Sequence, residues 1–278
     1  MEQEQVAILG LGLIGTVWAE NLAADRMLGA SWNRSPKARV PKFEAAIEKI
    51  PGRVGILHTV VSDESAATSV IEQLLPFLEV RHLVIQSTTI DPDTSSALKA
   101  KVEQRGAQYL EAPFTGSLPA AQSRKTIFYM GGERLVMERA APYLKRLGER
   151  QFRIGTNKQA CFLKLVMNLQ LASAVEALSE ALTISRGAGI DDQVFFEAFR
   201  ENASFSGVAA LKEAKLRSGE FAPQFSIKHM SKDMRLLTGA AGAKHFPALE
   251  TVRKVLSLGE ERGLANEDFS AIIKLLET

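Results

Sequence analysis

The sequence predicts a mixed α/β chain in two parts: a doubly wound parallel sheet over residues 1–157 and an all-α domain over 158–278. A long helix of about 158–187 is expected to join them. Three observations predict this. As far as Met130, short apolar runs alternate with helical segments, the pattern of a parallel sheet with crossover helices. Beyond Gly187 only helical periodicity remains. Between the two, Leu163, Leu165, Val166, Leu169, Leu171, Val175, Leu178, Leu182 and Ile184 lie on nearly every side of a helical wheel, which predicts a helix buried all round.

In order, Gln5–Leu9 is a short apolar run that ends at Gly10-Leu11-Gly12-Leu13-Ile14-Gly15, and Thr16–Ala24 reads as a helix. A strand running into G-x-G-x-x-G and then a helix is the context of a dinucleotide fingerprint, and so of a Rossmann domain. Gly10 is expected to make the tight turn and Gly12 to let the backbone approach a pyrophosphate. Gly15 would allow close helix–strand packing, with Leu13 and Ile14 opening the helix at the phosphates.

The second strand, Gly29–Trp32, leads into Asn33-Arg34-Ser35-Pro36-Lys37, with Arg39 close behind. An NAD-binding domain places an acid here, for the ribose 2′-hydroxyl, and no carboxylate is present. Arg34 can fork onto a 2′-phosphate and Ser35 can donate to it, so the expected cofactor is NADP(H).

Gly55–Val61 and Leu83–Gln86 read as further strands, followed by helices over Ser65–Phe77 and from Pro92 to about Gln104. Gln108–Ala112 and Thr126–Met130 follow as strands. Ligands of such sheets bind beyond the carboxyl ends of the strands. That places Val61, Ser62, Thr89 and the loop Pro113–Ser117 on the cofactor side; the loop's N–H groups and hydroxyls suit a small carboxylate. His58 falls within a strand, where a satisfied core histidine is expected rather than a catalyst. The four histidines show no metal-ligand spacing, and there is no G-x-S-x-G elbow.

After Gly187, helices are expected over Asp191–Arg200, Gly207–Ser218, Ile227–Ala241, Pro247–Glu261 and Asn266–Leu276. Phe225 and Lys232-Asp233 are placed at the start of the helix after Pro223, and Phe225 and Lys232 would be two turns apart if that segment is helical.

Composition limits the function classes. With 34 basic and 32 acidic residues, net charge +2, no global field selects nucleic acid or an anionic membrane. Cys161 is the single cysteine, which excludes an internal disulfide and fits a reducing compartment. The N-terminus carries acids where a signal peptide would be basic, and no segment reads as a membrane span. A cytoplasmic enzyme acting on a small molecule is the expected class.

Lys164 and Asn168 stand out within the long apolar helix. Four residues apart, they share a face and can address the same small molecule. A lysine in apolar surroundings loses solvation of its charged form, and its pKa is expected to fall toward the range of acid/base chemistry at neutral pH. The alternative is a lysine that snorkels to water.

Five blocks in order, GLGLIG with NRSPK, TTIDP, EAPFTGS, GTNKQACFLKLVMN and F-x-x-x-x-x-x-K-D, carry a resemblance. Over essentially its whole length the chain resembles the β-hydroxyacid dehydrogenase family, which includes 3-hydroxyisobutyrate dehydrogenases and glyoxylate/succinic semialdehyde reductases and shares the 6-phosphogluconate dehydrogenase type of NADP-binding domain. The resemblance implies Lys164 as acid/base catalyst and Asn168 as the residue that orients substrate. It implies that Thr115 and Gly116 hold the substrate carboxylate, beside the loop hydroxyl of Ser117, while Thr89, Phe225, Lys232 and Asp233 border the nicotinamide and close the cleft. It also implies a homodimer or homotetramer.

The chain departs from the family pattern at Ser117, at Gln86 and Met167, at Lys158, and at Arg124-Lys125, where the family keeps small residues. The two cations could bind a second anionic group or face solvent. The expected activity is NADPH-dependent hydride transfer between nicotinamide and a small β-hydroxyacid or its semialdehyde. Imine reductases are similar relatives that commonly lack the lysine, and an idle NADP-binding regulatory module is a further alternative.

Overall fold

A computed structural model describes residues 4–37, 39–242 and 244–277. Glu2, one of the N-terminal acids weighed above, lies outside them. The chain divides into two units, one up to Lys164 and one from Leu165. The division falls inside the long helix, later than residue 157.

In the first unit, strands β1 (Val6–Leu9), β2 (Leu28–Trp32), β3 (Ile56–Thr59), β4 (Leu83–Gln86) and β5 (Gln108–Glu111) pair in parallel in the order β2-β1-β3-β4-β5. The order reverses between β1 and β3, where doubly wound sheets open a crevice for ligands. Helices α1 (Leu13–Ala24), α2 (Glu64–Leu74) and α3 (Pro92–Glu103) are the crossovers. Their starts follow the local chemistry. Asp63 accepts from Ala66 N–H at the start of α2, and Asp91 accepts from Asp93 and Thr94 at the start of α3, where Pro92 has no N–H to satisfy.

The remainder of the sheet departs from a purely parallel reading. Short β6 (Phe114–Thr115) and β7 (Thr126–Gly131) pair antiparallel, β7 also meets β5 antiparallel, and helix α4 (Leu118–Gln122) lies between β6 and β7. Helix α5 (Arg134–Leu147) and strand β8 (Gly148–Gly155), parallel to β7, complete the unit. The strand β8 is invisible to hydrophobic patterning because most of its residues, GERQFRIG, are exposed or half-exposed. Two apolar clusters cover the two faces of the sheet, one built around Trp18, Ile8, Phe128 and Leu144, the other around Leu9, Leu57, Ile71 and Tyr109.

Helix α6 (Asn157–Gly187) leads into the second unit, with α7 (Asp192–Arg200), α8 (Gly207–Ser218), α9 (Ile227–Ala241) and α10 (Pro247–Glu261). Four expectations are corrected here. Asn266–Leu276 is not an α-helix: 3₁₀ turns span Phe269–Leu275, opened by the side chain of Asp268 on Ser270 N–H. Phe225 precedes α9, whose N-cap is Ser226, so Phe225 and Lys232 do not share a helical face. Nor is α6 buried all round. Leu165, Ala172, Val175, Leu178 and Leu182 enter the core of the second unit, while Val166 and Ile184 stay exposed, Ile184 by 72%. An apolar residue set wider than one neighbour can cover leaves these two in water. By length and composition α6 also qualifies as a membrane span, contrary to the sequence reading, although its buried residues lie in a protein core.

Candidate cofactor and catalytic site

In the first unit the site begins where β1 ends. Gly10 has φ +110°, and a Cβ there would stand 2.2 Å from the Val60 carbonyl oxygen, so the turn at the sheet's switch point admits only glycine. A Cβ on Gly12, by contrast, meets nothing within 4 Å. Helix α1 starts just after it with no side-chain cap, so its first N–H groups are presented beside an open approach, the arrangement that takes a pyrophosphate. The residues present therefore fit a dinucleotide. Gly15 packs where a Cβ would lie 1.9 Å from the Gly10 carbonyl oxygen. Leu13 is exposed and Ile14 packs against the core.

Asn33 has a second task that spacing does not reveal. Its side-chain oxygen accepts from Leu11 N–H at 2.9 Å and its amide donates to Ser35 O at 2.9 Å, tying the glycine loop to the end of β2. Arg34, Ser35 and Lys37 are exposed beside it. Val61 N–H donates to Thr88 Oγ1 at 2.9 Å, and Gln86 bonds both the N–H and the carbonyl of Thr88, so the ends of β3 and β4 brace each other next to Ser62 and half-buried Thr89. Gln86 thus serves as a turn clamp.

His58 is fully buried, stacked on Trp18, with both ring nitrogens bonded. Ser87 Oγ gives its proton to Ala112 O at 2.6 Å and must accept from His58 Nε2 at 2.7 Å, which leaves Nδ1 to accept from Tyr143. Burial lowers its pKa to about 3, so the ring is a neutral spacer.

The carboxylate loop follows β5. Thr115 ends β6, Gly116 has φ +114°, and Ser117 begins α4 without capping it. All three are half-buried. Immediately before the loop stands Glu111, which the sequence reading missed. It is wholly buried, accepts from Ser95 at 2.6 Å and Tyr109 at 2.8 Å, and desolvation raises its pKa to about 8. No pattern marks it, because a carboxylate at a strand end is ordinarily solvated.

Arg124 does not serve a second anion. Its guanidinium forks onto Asp25, at 2.6 and 3.1 Å, and bonds Asn21 O at the C-terminal end of α1, where the helix dipole favours a cation. Lys158 pairs with exposed Asp93 at 2.7 Å, a surface pair of little energetic weight. Lys125 is exposed.

On α6, half-buried Lys164 stands one turn ahead of Asn168. Asn168 is 1% exposed and donates to Asp233 Oδ2 on α9 at 2.5 Å. Asp233, equally buried, is also 2.9 Å from Lys232 Nζ. The Lys232-Asp233 pair is therefore largely buried rather than a solvated helix face. Phe225, ahead of α9, stacks on His229. Among the described residues no group of three or more His, Cys, Asp or Glu side chains is placed to hold a metal ion.

Residues 5–155 match the model of the NAD binding domain of 6-phosphogluconate dehydrogenase, and residues 159–276 match that described as NAD-binding of NADP-dependent 3-hydroxyisobutyrate dehydrogenase. The chain belongs to the β-hydroxyacid dehydrogenase family. Within that family, it is 26% identical over 98% of its length to the chloroplastic glyoxylate/succinic semialdehyde reductase 2 of Arabidopsis thaliana, covering 79% of that protein. Its fold is that of the Mycobacterium tuberculosis 3-hydroxyisobutyrate dehydrogenase solved with L-serine: TM-score 0.90 at 21% identity, over 99% of this chain and 100% of that one. An imine reductase variant from Myxococcus stipitatus, solved with NAD+, is less similar, with TM-score 0.67 at 15% identity over 99% of each chain. As a family member, the chain carries an NAD(P)-binding domain of an oxidoreductase acting on CH–OH groups.

Proposed function

We propose that this β-hydroxyacid dehydrogenase family member is NADPH-dependent and moves hydride between the nicotinamide and a small β-hydroxyacid or its semialdehyde. The observation that carries the reading is the pair on α6: Lys164 one turn ahead of Asn168, whose amide is oriented by buried Asp233. The bound dinucleotide supplies or takes the hydride. During reduction Lys164 Nζ gives a proton to the carbonyl oxygen as negative charge develops there; in oxidation it takes the proton back. Asn168 keeps the reacting oxygen in line, and Thr115, Gly116 N–H and Ser117 hold the carboxylate, with Phe225 and Asp233 on the substrate.

Arg34, Ser35 and Lys37 bind the 2′-phosphate, and Gly10, Gly12, Leu13, Ile14, Gly15, Asn33, Val61, Ser62, Thr89 and Lys232 serve the rest of the cofactor. The decisive experiment is Lys164→Ala. Semialdehyde reduction should fall by about a hundredfold or more with NADPH binding retained; full activity would remove Lys164 from the chemistry. The fold likeness to an imine reductase supports a second reading, C=N reduction, and a cyclic imine assayed beside the semialdehyde separates the two.

The apolar side chains that α6 exposes, Val166 and Ile184, support self-association into a homodimer or homotetramer. Light scattering that found a monomer at micromolar concentration would overturn it.

A further inference from the structure

In the all-α unit, Lys212 and Asp268 form a buried ion pair, their side chains 5% and 0% exposed and Nζ 2.8 Å from Oδ1. Two charges taken out of water are a poor source of stability compared with apolar residues of the same size, so such a pair is expected to serve geometry. Here the carboxylate is saturated. Oδ2 accepts the backbone N–H groups of Gln224 at 3.0 Å and Phe225 at 3.3 Å, as well as Lys212 at 2.9 Å. Oδ1 accepts Ser270 N–H at 3.2 Å and its hydroxyl at 2.8 Å.

Gln224 and Phe225 lie just ahead of α9, where no helical carbonyl can take their N–H groups. Backbone bonds reinforce the clamp: Phe269 N–H to Phe225 O, Ile227 N–H to Glu267 O, both 2.9 Å, and Lys228 N–H to Ala265 O at 3.0 Å. The pair thus sets where α9 begins. Two turns further on, the same helix delivers Asp233 to Asn168.

We propose that Asp268, held in place by Lys212, is a positioning residue: it anchors the entry to α9 and so sets the contact of Asp233 with Asn168. The consequence for catalysis rests on the reading of Lys164 and Asn168 as the reacting machinery; the geometric coupling does not. Neither residue touches substrate. Both act through the segment 224–233.

The test uses the full-length chain with Lys212→Met paired with either Asp268→Asn or Asp268→Ala, so that no unpaired charge is left in the core. Asparagine keeps the shape and an acceptor for the Gln224 and Phe225 amides; alanine keeps neither. Semialdehyde kcat/KM per folded molecule, measured well below the melting temperature, should fall at least tenfold in the alanine variant and less in the asparagine variant. A purely structural role would lower the melting temperature and leave kcat/KM per folded molecule unchanged, which would overturn the proposal.

The second readout needs no substrate. The Asn168 side-chain amide proton, shifted downfield by its bond to a carboxylate, is followed by NMR and should move upfield in the alanine variant. If it does not move, the coupling is wrong whatever the enzyme reduces. If it moves while the unmodified protein reduces no semialdehyde, the functional reading fails and the positioning role stands.

Discussion

The side-chain amide of Asn168 meets the carboxylate of Asp233 at 2.5 Å in the interior of the all-α unit, joining α6 to α9. A hydrogen bond to a buried carboxylate is worth about 1.5–3 kcal/mol and fixes which way the amide faces. Asn168→Asp would set two carboxylates at hydrogen-bond distance, so one must hold a proton. Its kcat/KM should fall by about tenfold to a hundredfold, corresponding to that energy. The loss should be smaller at acid pH, where a shared proton restores a donor. A pH profile parallel to that of the unmodified enzyme would show that the bond does not matter.

Cofactor choice is placed on the end of β2. Arg34→Asp sets a negative charge where a 2′-phosphate would bind and offers an acceptor to a ribose 2′-hydroxyl instead. The ratio of kcat/KM with NADPH to that with NADH should invert. An unchanged ratio would clear Arg34 of the role.

Two glycines of one motif should respond differently to the same methyl group. Gly10→Ala drives a Cβ to 2.2 Å from Val60 O at φ +110°, and should destabilise the protein by about 2 kcal/mol or more, read in urea unfolding. At Gly12 the Cβ enters open space, so Gly12→Ala should keep its stability and weaken NADPH binding by about tenfold as the methyl meets the pyrophosphate. A Gly12→Ala variant with unaltered NADPH affinity would place the phosphates elsewhere.

Glu111 and His58 tilt stability in opposite directions. Burial raises Glu111 from 4.5 to about 8, so between these values the native state binds more protons than the unfolded chain. Its contribution is full below pH 4.5 and is lost as pH rises toward 8. Burial lowers His58 from 6.5 to about 3, so its contribution is present above pH 6.5 and lost as pH falls toward 3. Glu111→Gln should therefore flatten the decline in urea midpoint between pH 6.5 and 8 while keeping the acid-side loss. A variant that tracks the unmodified protein above pH 6.5 would mean that Glu111 is ionised in the native state.

Local patterns explain what was legible. Alternation of apolar runs and helices is a chain-local property, so β1 to β5, α1 to α3 and α7 to α10 could be placed from residues alone. The turn at Gly10 is local too, since the motif is contiguous. Strand β8 escaped because its residues face water, and the 3₁₀ turns after Asp268 because so short an apolar run does not by itself distinguish i→i+3 from i→i+4 bonding. The helix Ile227–Ala241 was legible, but Phe225 lies before its N-cap Ser226 and so outside it.

By itself, the sequence determined the α/β-then-α order, the glycine turn after β1 and the family, because each is written in contiguous residues whose spacing matches a backbone period or a known motif. Tertiary structure alone decided which charges are available for chemistry. Arg124 is spent on Asp25, Lys158 on Asp93, and Lys212 on Asp268, residues 99, 65 and 56 positions away. It also decided that Asn168 is aimed by Asp233 and that Glu111 is buried, bonded to Ser95 and Tyr109. The physical reason is common to all: a side chain's charge state and orientation depend on what desolvates and bonds it, and those partners lie far away along the chain.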